Sequence, residues 1–222
     1  MHIRPKPWAR PELETCGFFI PDPTACCGKW QKNFNHSNPI HMELGCGKGT
    51  FIAELGKSNP NINYIAIDLI DAVLGVSKRN IVTVYDGQPV ENIKLAAYDI
   101  TRIENILNSE DAIERIYINF CNPWPKRRYH KKRLTHSRQL EKYKNFLSPG
   151  GEIRFKTDDD NLFEDSLHYL KSSGFVMTTE IRDLHHSDFS ENIETEHERM
   201  FSEQGIPIKF AIATLKNVSS NL

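Results

Sequence analysis

Short apolar segments alternate with longer amphipathic segments from residue 39 almost to the end of the chain. The apolar runs of strand length are residues 40–44, 63–67, 93–98, 116–120, 152–156, 175–180 and 208–215. Residues 50–57, 71–78, 137–146 and 161–172 carry helix-like patterns between them. This alternation predicts an α/β fold with a doubly wound, mostly parallel sheet. Ligands of such sheets bind at the carboxyl ends of the strands, so the residues that follow each strand are the informative ones.

The first 35 residues have no regular pattern of apolar positions, and five prolines interrupt them. We therefore expect residues 1–35 to form an irregular N-terminal arm and residues 36–222 to form a single domain. A chain of 222 residues suits one α/β domain with a sizeable core.

Composition narrows the class of protein. Hydrophobic residues make up 39% and charged residues 26%, as in ordinary globular proteins. The basic N-terminus lacks the apolar region of a secretory signal, and apolar runs stay well short of the roughly 18 residues that span a bilayer. We expect a cytoplasmic protein without a membrane partner. The five cysteines lack the C-x-x-C spacing, so the sequence predicts neither a disulfide framework nor a metal site.

The net charge of −1 hides a concentrated basic run. Residues 126–133 read KRRYHKKR, with six basic side chains in eight positions. A charge run is usually a solvated face, but a dense basic patch also attracts phosphate within roughly 8 Å at physiological salt. The candidate phosphate-contacting residues are Arg127, Arg128, Lys131, Lys132 and Arg133.

A glycine-rich loop follows the first predicted strand and opens a predicted helix. It reads E-L-G-C-G-K-G-T from Glu43, and its glycines are Gly45, Gly47 and Gly49. The spacing fits neither a Walker A loop nor the G-x-G-x-x-G dinucleotide fingerprint. It resembles motif I of class I S-adenosylmethionine methyltransferases, although a glycine-rich turn alone is often only a tight turn. Asp68 closes the second strand, where an acid can accept both ribose hydroxyls. Asp99 follows the third strand, and the resemblance to these methyltransferases implies that the adenine is read there.

Three further motifs follow in order along the chain: NPWPKRRYHKKRL at residues 122–134, FKTD at residues 155–158 and TEHE-x-x-F at residues 195–201. Together they resemble the bacterial tRNA (guanine-N7-)-methyltransferases over about residues 40–215. The resemblance implies a Rossmann-like class I fold with seven strands and an antiparallel last strand. It also implies S-adenosylmethionine as cofactor and tRNA as partner, with methylation of the guanosine at variable-loop position 46. Related proteins occur as monomers or homodimers.

The family motifs assign roles to individual positions. By resemblance the cofactor-binding residues are Glu43, Gly45, Gly47, Gly49, Asp68, Asp99 and Asn122. The substrate-binding residues are Lys126, Asp158, Thr195, Glu196, His197 and Glu198, and the catalytic residue is Asn122.

Three positions leave alternatives open. The family usually has aspartate where this chain has Asn122. Guanine N7 carries a lone pair and no proton, so the reaction needs alignment and no general base, and we expect an active enzyme. Glu198 can accept hydrogen bonds from the guanine edge, or it can stand at N3 of a capping box that Thr195 begins. Trp124 offers a face for base stacking, or a core side chain in a rigid turn.

The sequence is also compatible with two other functions. An adenine or cytosine amino-methyltransferase has a related Asn-Pro loop, but its next residue is proline where this chain has Trp124. A weakened module that only binds RNA and cofactor is favoured by Asn122 alone.

Overall fold

The computed structural model describes residues 4–216. The chain divides into two compact units, residues 1–111 and 112–222. Residues 1–3 and 217–222, which the expected domain bounds include, lie outside the described residues. None of the helices within residues 4–216 has the length and apolar content that a bilayer span requires.

The first unit is built on parallel strands in the order β1-β4-β3-β2. The strands are β1 (Phe19–Ile20), β2 (Ile40–Leu44), β3 (Asn63–Asp68) and β4 (Ile93–Ala97). The helices are α1 (Ala9–Glu14), α2 (Thr50–Ser58) and α3 (Asp71–Tyr85). All five residues of β2 are buried, as expected for a parallel strand covered on both faces.

The described part of the N-terminal segment, residues 4–35, contains regular elements, in contrast to the irregular arm that its prolines suggested. It forms α1, β1 and two short 3-10 helices at Pro23–Cys26 and Trp30–Asn33. Pro11 is compatible with α1 because it lies in the first turn, where backbone N–H groups have no partner within the helix. The helix buries Ala9 and Leu13, and a Cβ on Gly75 of α3 would come within 2.7 Å of the Ala9 Cβ. Close packing on α3 therefore orders the segment.

Trp30 and Asp111 fix the rest of this segment within the first unit. The Trp30 side chain is fully buried, and its indole N–H donates to the Ile106 carbonyl at 2.6 Å. The Asp111 carboxylate accepts from the Gly28 and Trp30 backbone N–H groups at 2.8 and 3.1 Å. Strand β1 was not predicted, so the described residues hold eight strands where the sequence indicated seven.

The second unit contains both parallel and antiparallel strands, in the order β5-β6-β8-β7. Its strands are β5 (Ile113–Asn119), β6 (Leu147–Thr157), β7 (Phe175–Ile181) and β8 (Lys209–Leu215). Its helices are α4 (Ser137–Tyr143), α5 (Asp160–Ser172) and α6 (Glu196–Ser202). Strands β5 and β6 are parallel, whereas β8 runs antiparallel to both β6 and β7. The predicted antiparallel last strand is confirmed.

Helix α3 shows where the local pattern misled. The sequence predicted residues 71–78, but the helix continues to Tyr85 through the β-branched residues of 81–84. Ile81 is fully buried and Tyr85 is 5% exposed. Burial of these side chains outweighs the low helix propensity of β-branched residues.

Candidate active site

Strands β2, β3 and β4 end at the same edge of the first unit. Leu44 at the end of β2 pairs with Ile67, and Asp68 at the end of β3 pairs with Ala97 at the end of β4. The glycine-rich loop follows Leu44 directly. The register therefore brings this loop, Asp68 and the segment before Asp99 to one edge, as the sequence predicted.

The glycines of the loop serve different steric purposes. Gly45, Gly47 and Gly49 have φ values of +80°, +54° and +72°, a region that L-residues with side chains rarely adopt. A Cβ on Gly49 would lie 2.0 Å from the Ser77 Oγ and 3.1 Å from the Ser77 Cα. A Cβ on Gly47 would have open space within 4 Å. Gly49 thus permits close packing on α3, while Gly47 leaves an open backbone surface.

Asp68 joins β3 to the loop. Its carboxylate accepts from the Gly47 N–H at 3.1 Å and from the Ile70 N–H at 3.2 Å. Burial raises the pKa of this carboxyl above its usual value, against the opposing effect of these backbone hydrogen bonds. The next residue, Leu69, is 64% exposed. Leu69 was not among the predicted site residues, although an apolar residue directly after a strand-ending acid was a usable signal.

Asp99 and Glu43 differ in exposure. Asp99 is half-buried and caps the 3-10 helix Ile100–Asn105, with Oδ1 accepting from the Thr101 N–H at 2.9 Å and the Thr101 hydroxyl at 2.8 Å. Glu43 is only 2% exposed. Burial raises the pKa of the Cys46 thiol well above its usual value, and the nearby Glu43 and Asp68 carboxyl groups raise it further. Two acidic side chains therefore lie close together beneath the loop.

In the second unit, the loop that follows β5 has unusual backbone geometry. Phe120 and Trp124 have φ values of +49° and +44° without being glycine. Asn122 is exposed, and its Oδ1 accepts from the Trp124 N–H at 3.0 Å. One lone pair of the Asn122 amide oxygen is thus used to hold the turn. Trp124 is half-buried, so part of its ring faces the turn and part is accessible to solvent, which leaves both alternatives open.

The basic run forms a 3-10 helix over Arg127–Lys132. The Lys132 Nζ lies 4.9 Å from the Trp124 ring centroid, and the Arg128 guanidinium lies 4.8 Å from the Tyr129 ring centroid. These distances suit cation–π contacts that keep the cations near solvent. The exposed basic residues are Lys126, Arg127, Arg128, Lys131 and Lys132.

Arg133 is buried, unlike its basic neighbours, so one of the predicted phosphate contacts is wrong. It was predicted as a phosphate contact, yet it is only 1% exposed. Its guanidinium is bonded to groups within the second unit. A buried guanidinium with such partners is unsuited to bind an RNA phosphate.

Glu198 is fully buried and forms the capping box. The Thr195 hydroxyl accepts from the Glu198 N–H at 3.0 Å, and the Glu198 Oε2 accepts from the Thr195 N–H at 3.2 Å. The same oxygen accepts from the Lys156 Nζ at 2.9 Å, and Oε1 accepts from the Asn192 amide at 2.6 Å. Of the two alternatives for Glu198, the capping box is the one present, and direct contact with a base does not suit a side chain so engaged.

The second unit brings its three motifs together. The Phe120 N–H donates to the Lys156 carbonyl at 3.0 Å, which joins the end of β5 to the FKTD segment. The Phe120 ring stacks on His197, with centroids 5.8 Å apart, which joins it to the start of α6. Glu196 and His197 are exposed, and Asp158 is half-buried. These three side chains reach the surface, whereas Thr195 is only 6% exposed.

Cys46 and Cys121 are poorly suited to act as nucleophiles. All five cysteines are free, and burial raises the pKa of Cys121 to about 12. A cysteine nucleophile must be a thiolate at working pH, so both Cys46 and Cys121 are inert. Within residues 4–216, His, Cys, Asp and Glu side chains form no group of three that is placed to hold a metal ion.

Comparison with known proteins covers both units. A family model described as "Putative methyltransferase" matches residues 37–211. A tRNA (guanine-N(7)-)-methyltransferase of Clostridium botulinum (strain Eklund 17B / Type B) is 59% identical over 215 residues, which cover 96% of this chain and 98% of that protein. The corresponding protein of Ruminiclostridium cellulolyticum is 56% identical over 219 residues, or 97% of this chain and 93% of that protein.

Solved structures agree in fold. The 16S rRNA methyltransferase KamB has a TM-score of 0.57 at 11% identity and covers 85% of this chain and 93% of its own. An antibiotic-related methyltransferase has a TM-score of 0.56 at 19% identity and covers 80% of this chain and 87% of its own. At these identities the likeness concerns the fold alone.

Proposed function

The chain belongs to the family of the tRNA (guanine-N(7)-)-methyltransferases, and from this premise we propose how its residues bind cofactor and tRNA. It is an enzyme that transfers a methyl group to N7 of a guanosine in tRNA. The observation that carries this conclusion is 56% and 59% identity to two such enzymes over 97% and 96% of the chain. We propose that the first unit binds S-adenosylmethionine and that the second unit binds the guanosine.

The edge of the first unit fits this cofactor. The open backbone at Gly47 leaves room for a ligand at the loop. Two acceptor sites of the Asp68 carboxylate are used by backbone N–H groups, and an ionised carboxylate offers about four, so two ribose hydroxyls can still donate to it. The exposed Leu69 side chain supplies an apolar face for the adenine. The negative charge of Glu43 and Asp68 suits the cationic parts of the cofactor.

Asp99 complements this arrangement. Both of its hydrogen bonds to Thr101 use Oδ1. We assign Oδ2 to the exocyclic amine of the adenine, which is a hydrogen-bond donor. Gly45 and Gly49 act indirectly, because their backbone conformations shape the loop.

The reaction requires alignment more than acid–base chemistry. When bound, the cofactor supplies a methyl group on a cationic sulfur that is a good leaving group. Guanine N7 offers an in-plane lone pair, so no residue has to remove a proton before attack. Asn122 holds its loop through Oδ1 and presents its amide group to solvent. We propose that Asn122 orients the reacting groups without offsetting the positive charge that builds on the purine.

The exposed groups of the second unit select the base. We propose that Glu196 and Asp158 accept from guanine N1–H and the exocyclic amine, an edge that adenine does not present. His197 and Lys126 contact the same nucleotide. Thr195 and Glu198 fix the segment that carries Glu196 and His197 through the capping box.

The five exposed basic residues of the 126–132 run supply the sequence-independent part of tRNA binding. Phosphate contacts position a nucleic acid without reading its sequence, and they weaken as salt rises. We propose that they position the variable loop of the tRNA so that the guanosine at position 46 is the one methylated.

Incubation of the purified protein with isotopically labelled S-adenosylmethionine and unmodified tRNA transcripts tests the proposal. Digestion to nucleosides should yield 7-methylguanosine. A matched transcript with adenosine at the variable-loop position should yield none. Methyladenosine or methylcytosine as product would contradict the assigned reaction, and equal methylation of both transcripts would contradict the assigned position.

A further inference from the structure

Arg133 is a buried cation within an otherwise exposed basic run. It is 1% exposed, whereas Arg127, Arg128, Lys131 and Lys132 are exposed. Burial of a guanidinium is costly unless its N–H groups find acceptors. The partners of Arg133 therefore indicate what its burial achieves.

Those partners come from three segments of the second unit. The Nε–H donates to the Pro123 carbonyl at 2.6 Å. The Nη1 donates to the Asp165 carboxylate of α5 at 2.5 Å, and Nη2 lies 3.1 Å from the His130 Nε2. The guanidinium thus ties the loop after β5 to helix α5 and to the 3-10 helix of the basic run. Lysine has no planar fork to satisfy three such directions at once.

The loop that receives this contact needs external support. Pro123 lies between Asn122 and Trp124, and Trp124 has a left-handed φ of +44°. A non-glycine residue in that region persists only where surrounding contacts over-determine it. The hydrogen bond from the Trp124 N–H to Asn122 is a contact within the loop itself. The bond from Arg133 to the Pro123 carbonyl comes from ten residues away and is backed by Asp165.

We infer that Arg133 and Asp165 form a positioning pair that holds the loop of Asn122 and Trp124 in its reactive conformation. This inference rests on the proposed function for its catalytic consequence, but the effect on the loop is independent of it. Arg133 acts through the Pro123 carbonyl and is a positioning residue. The pair fixes a reacting loop and does not contact tRNA phosphates. Its loss should therefore lower kcat and leave the KM for tRNA, and the salt dependence of that KM, unchanged.

The matched variants Arg133→Gln and Arg127→Gln test this. Both remove one charge from the same run, but only Arg133 contacts the loop. Arg133→Gln should lower kcat by about 10-fold to 100-fold, the size of effect that a small misplacement of reacting groups produces. Arg127→Gln should instead raise the KM for tRNA and lower the slope of log KM against log salt by about 1. Asp165→Asn changes a side chain that is 42% exposed, so it should fold normally while showing the same kcat defect in weaker form.

Hydrogen–deuterium exchange of the peptide that contains residues 120–126 gives a readout that needs no catalysis. It should speed up in Arg133→Gln and Asp165→Asn and stay at the wild-type rate in Arg127→Gln. Unchanged exchange in the first two variants, or a raised KM with a lower salt slope in Arg133→Gln, would overturn the inference. If wild-type protein makes no 7-methylguanosine while the exchange contrast is present, the proposed function fails and the positioning pair stands.

Discussion

The glycine-rich loop after β2 and the loop after β5 reach left-handed backbone conformations by different means. The first loop places them at Gly45, Gly47 and Gly49, where no side chain opposes them. The second places them at Phe120 and Trp124, where side chains do. The first loop is therefore stable through its local sequence, whereas the second depends on distant groups such as Arg133.

This difference determines what each loop tolerates. Replacing a glycine of the first loop destabilises the protein through the side-chain atoms that the new residue adds. In the second unit the most damaging changes lie outside the loop, in the buried polar groups that hold the neighbouring segments.

Glu198→Ala should be the most destabilising. It leaves the Lys156 ammonium, a residue only 5% exposed, without its carboxylate. Loss of one partner from a buried ion pair costs about 3–5 kcal/mol of the free energy of unfolding, measured by urea denaturation. The neighbouring Glu196→Ala should change it by less than about 0.5 kcal/mol, as for most exposed sites. Equal effects of the two changes would show that the buried network does not hold this segment.

Gly49→Ala should lower the free energy of unfolding by about 2–4 kcal/mol, since it adds a clash with Ser77 to an unfavourable φ. Gly47→Ala adds only the unfavourable φ and should cost about 1 kcal/mol. Gly47→Ala should nevertheless weaken S-adenosylmethionine binding, measured by calorimetry, because its Cβ fills the open space. Cofactor affinity equal to wild type in Gly47→Ala would contradict the assigned role of the loop.

Variants of Asn122 distinguish the alignment of the reacting groups from stabilisation of the positive charge that builds on the purine. Asn122→Ala should lower kcat by about 10-fold, or about 1.4 kcal/mol of barrier, because it removes the acceptor that holds the Trp124 N–H. Asn122→Asp keeps that acceptor and adds a negative charge, so it should raise kcat. Steady-state kinetics with one tRNA transcript compares the three proteins. A lower kcat for Asn122→Asp, or an unchanged one for Asn122→Ala, would refute this role.

Asp68→Asn should give the smallest net effect, because two consequences oppose each other. Burial raises the folded-state pKa of Asp68, so the unfolded state ionises first as pH rises and wild-type stability falls between the unfolded pKa of about 3.9 and the folded pKa. Asparagine removes this charge penalty, but it leaves one of the Gly47 and Ile70 N–H groups without its acceptor at every pH. The melting temperature of the variant relative to wild type should therefore be higher at pH 7 than near pH 3. Cofactor affinity should fall at pH 7, because asparagine has one acceptor oxygen in place of two.

The sequence predicted the parts of this molecule that local chemistry controls. The positions of β2, β3 and β4 follow from apolar runs, and the glycine-rich loop follows from its spacing. Helix α1 and strand β1 were not predicted, because they are stabilised by packing on α3 and by pairing with β4. The five prolines of this segment also break the apolar pattern from which a helix or strand is predicted. Such contacts join residues far apart in the chain, so no local sequence pattern predicts them.

Long-range contacts also explain why the predicted roles of two residues were wrong. Arg133 looks like its basic neighbours in sequence, and only its bonds to Pro123 and Asp165 set it apart. Glu198 fitted both a base contact and a capping box, and its burial beside Lys156 decides between them. Side-chain burial is a property of the fold, and a motif match alone does not specify it.

A tRNA transcript with 7-deazaguanosine at the variable-loop position distinguishes N7 of that guanosine from every other methyl acceptor. The analogue replaces N7 with a carbon and leaves the amino group, N1–H and ribose of guanosine in place. With labelled S-adenosylmethionine, we expect methylation of the guanosine transcript and none of the 7-deazaguanosine transcript, although both compete equally for binding. Equal methyl transfer to the two transcripts would contradict the assignment of N7 at this position, because the acceptor would then be another atom or another nucleotide.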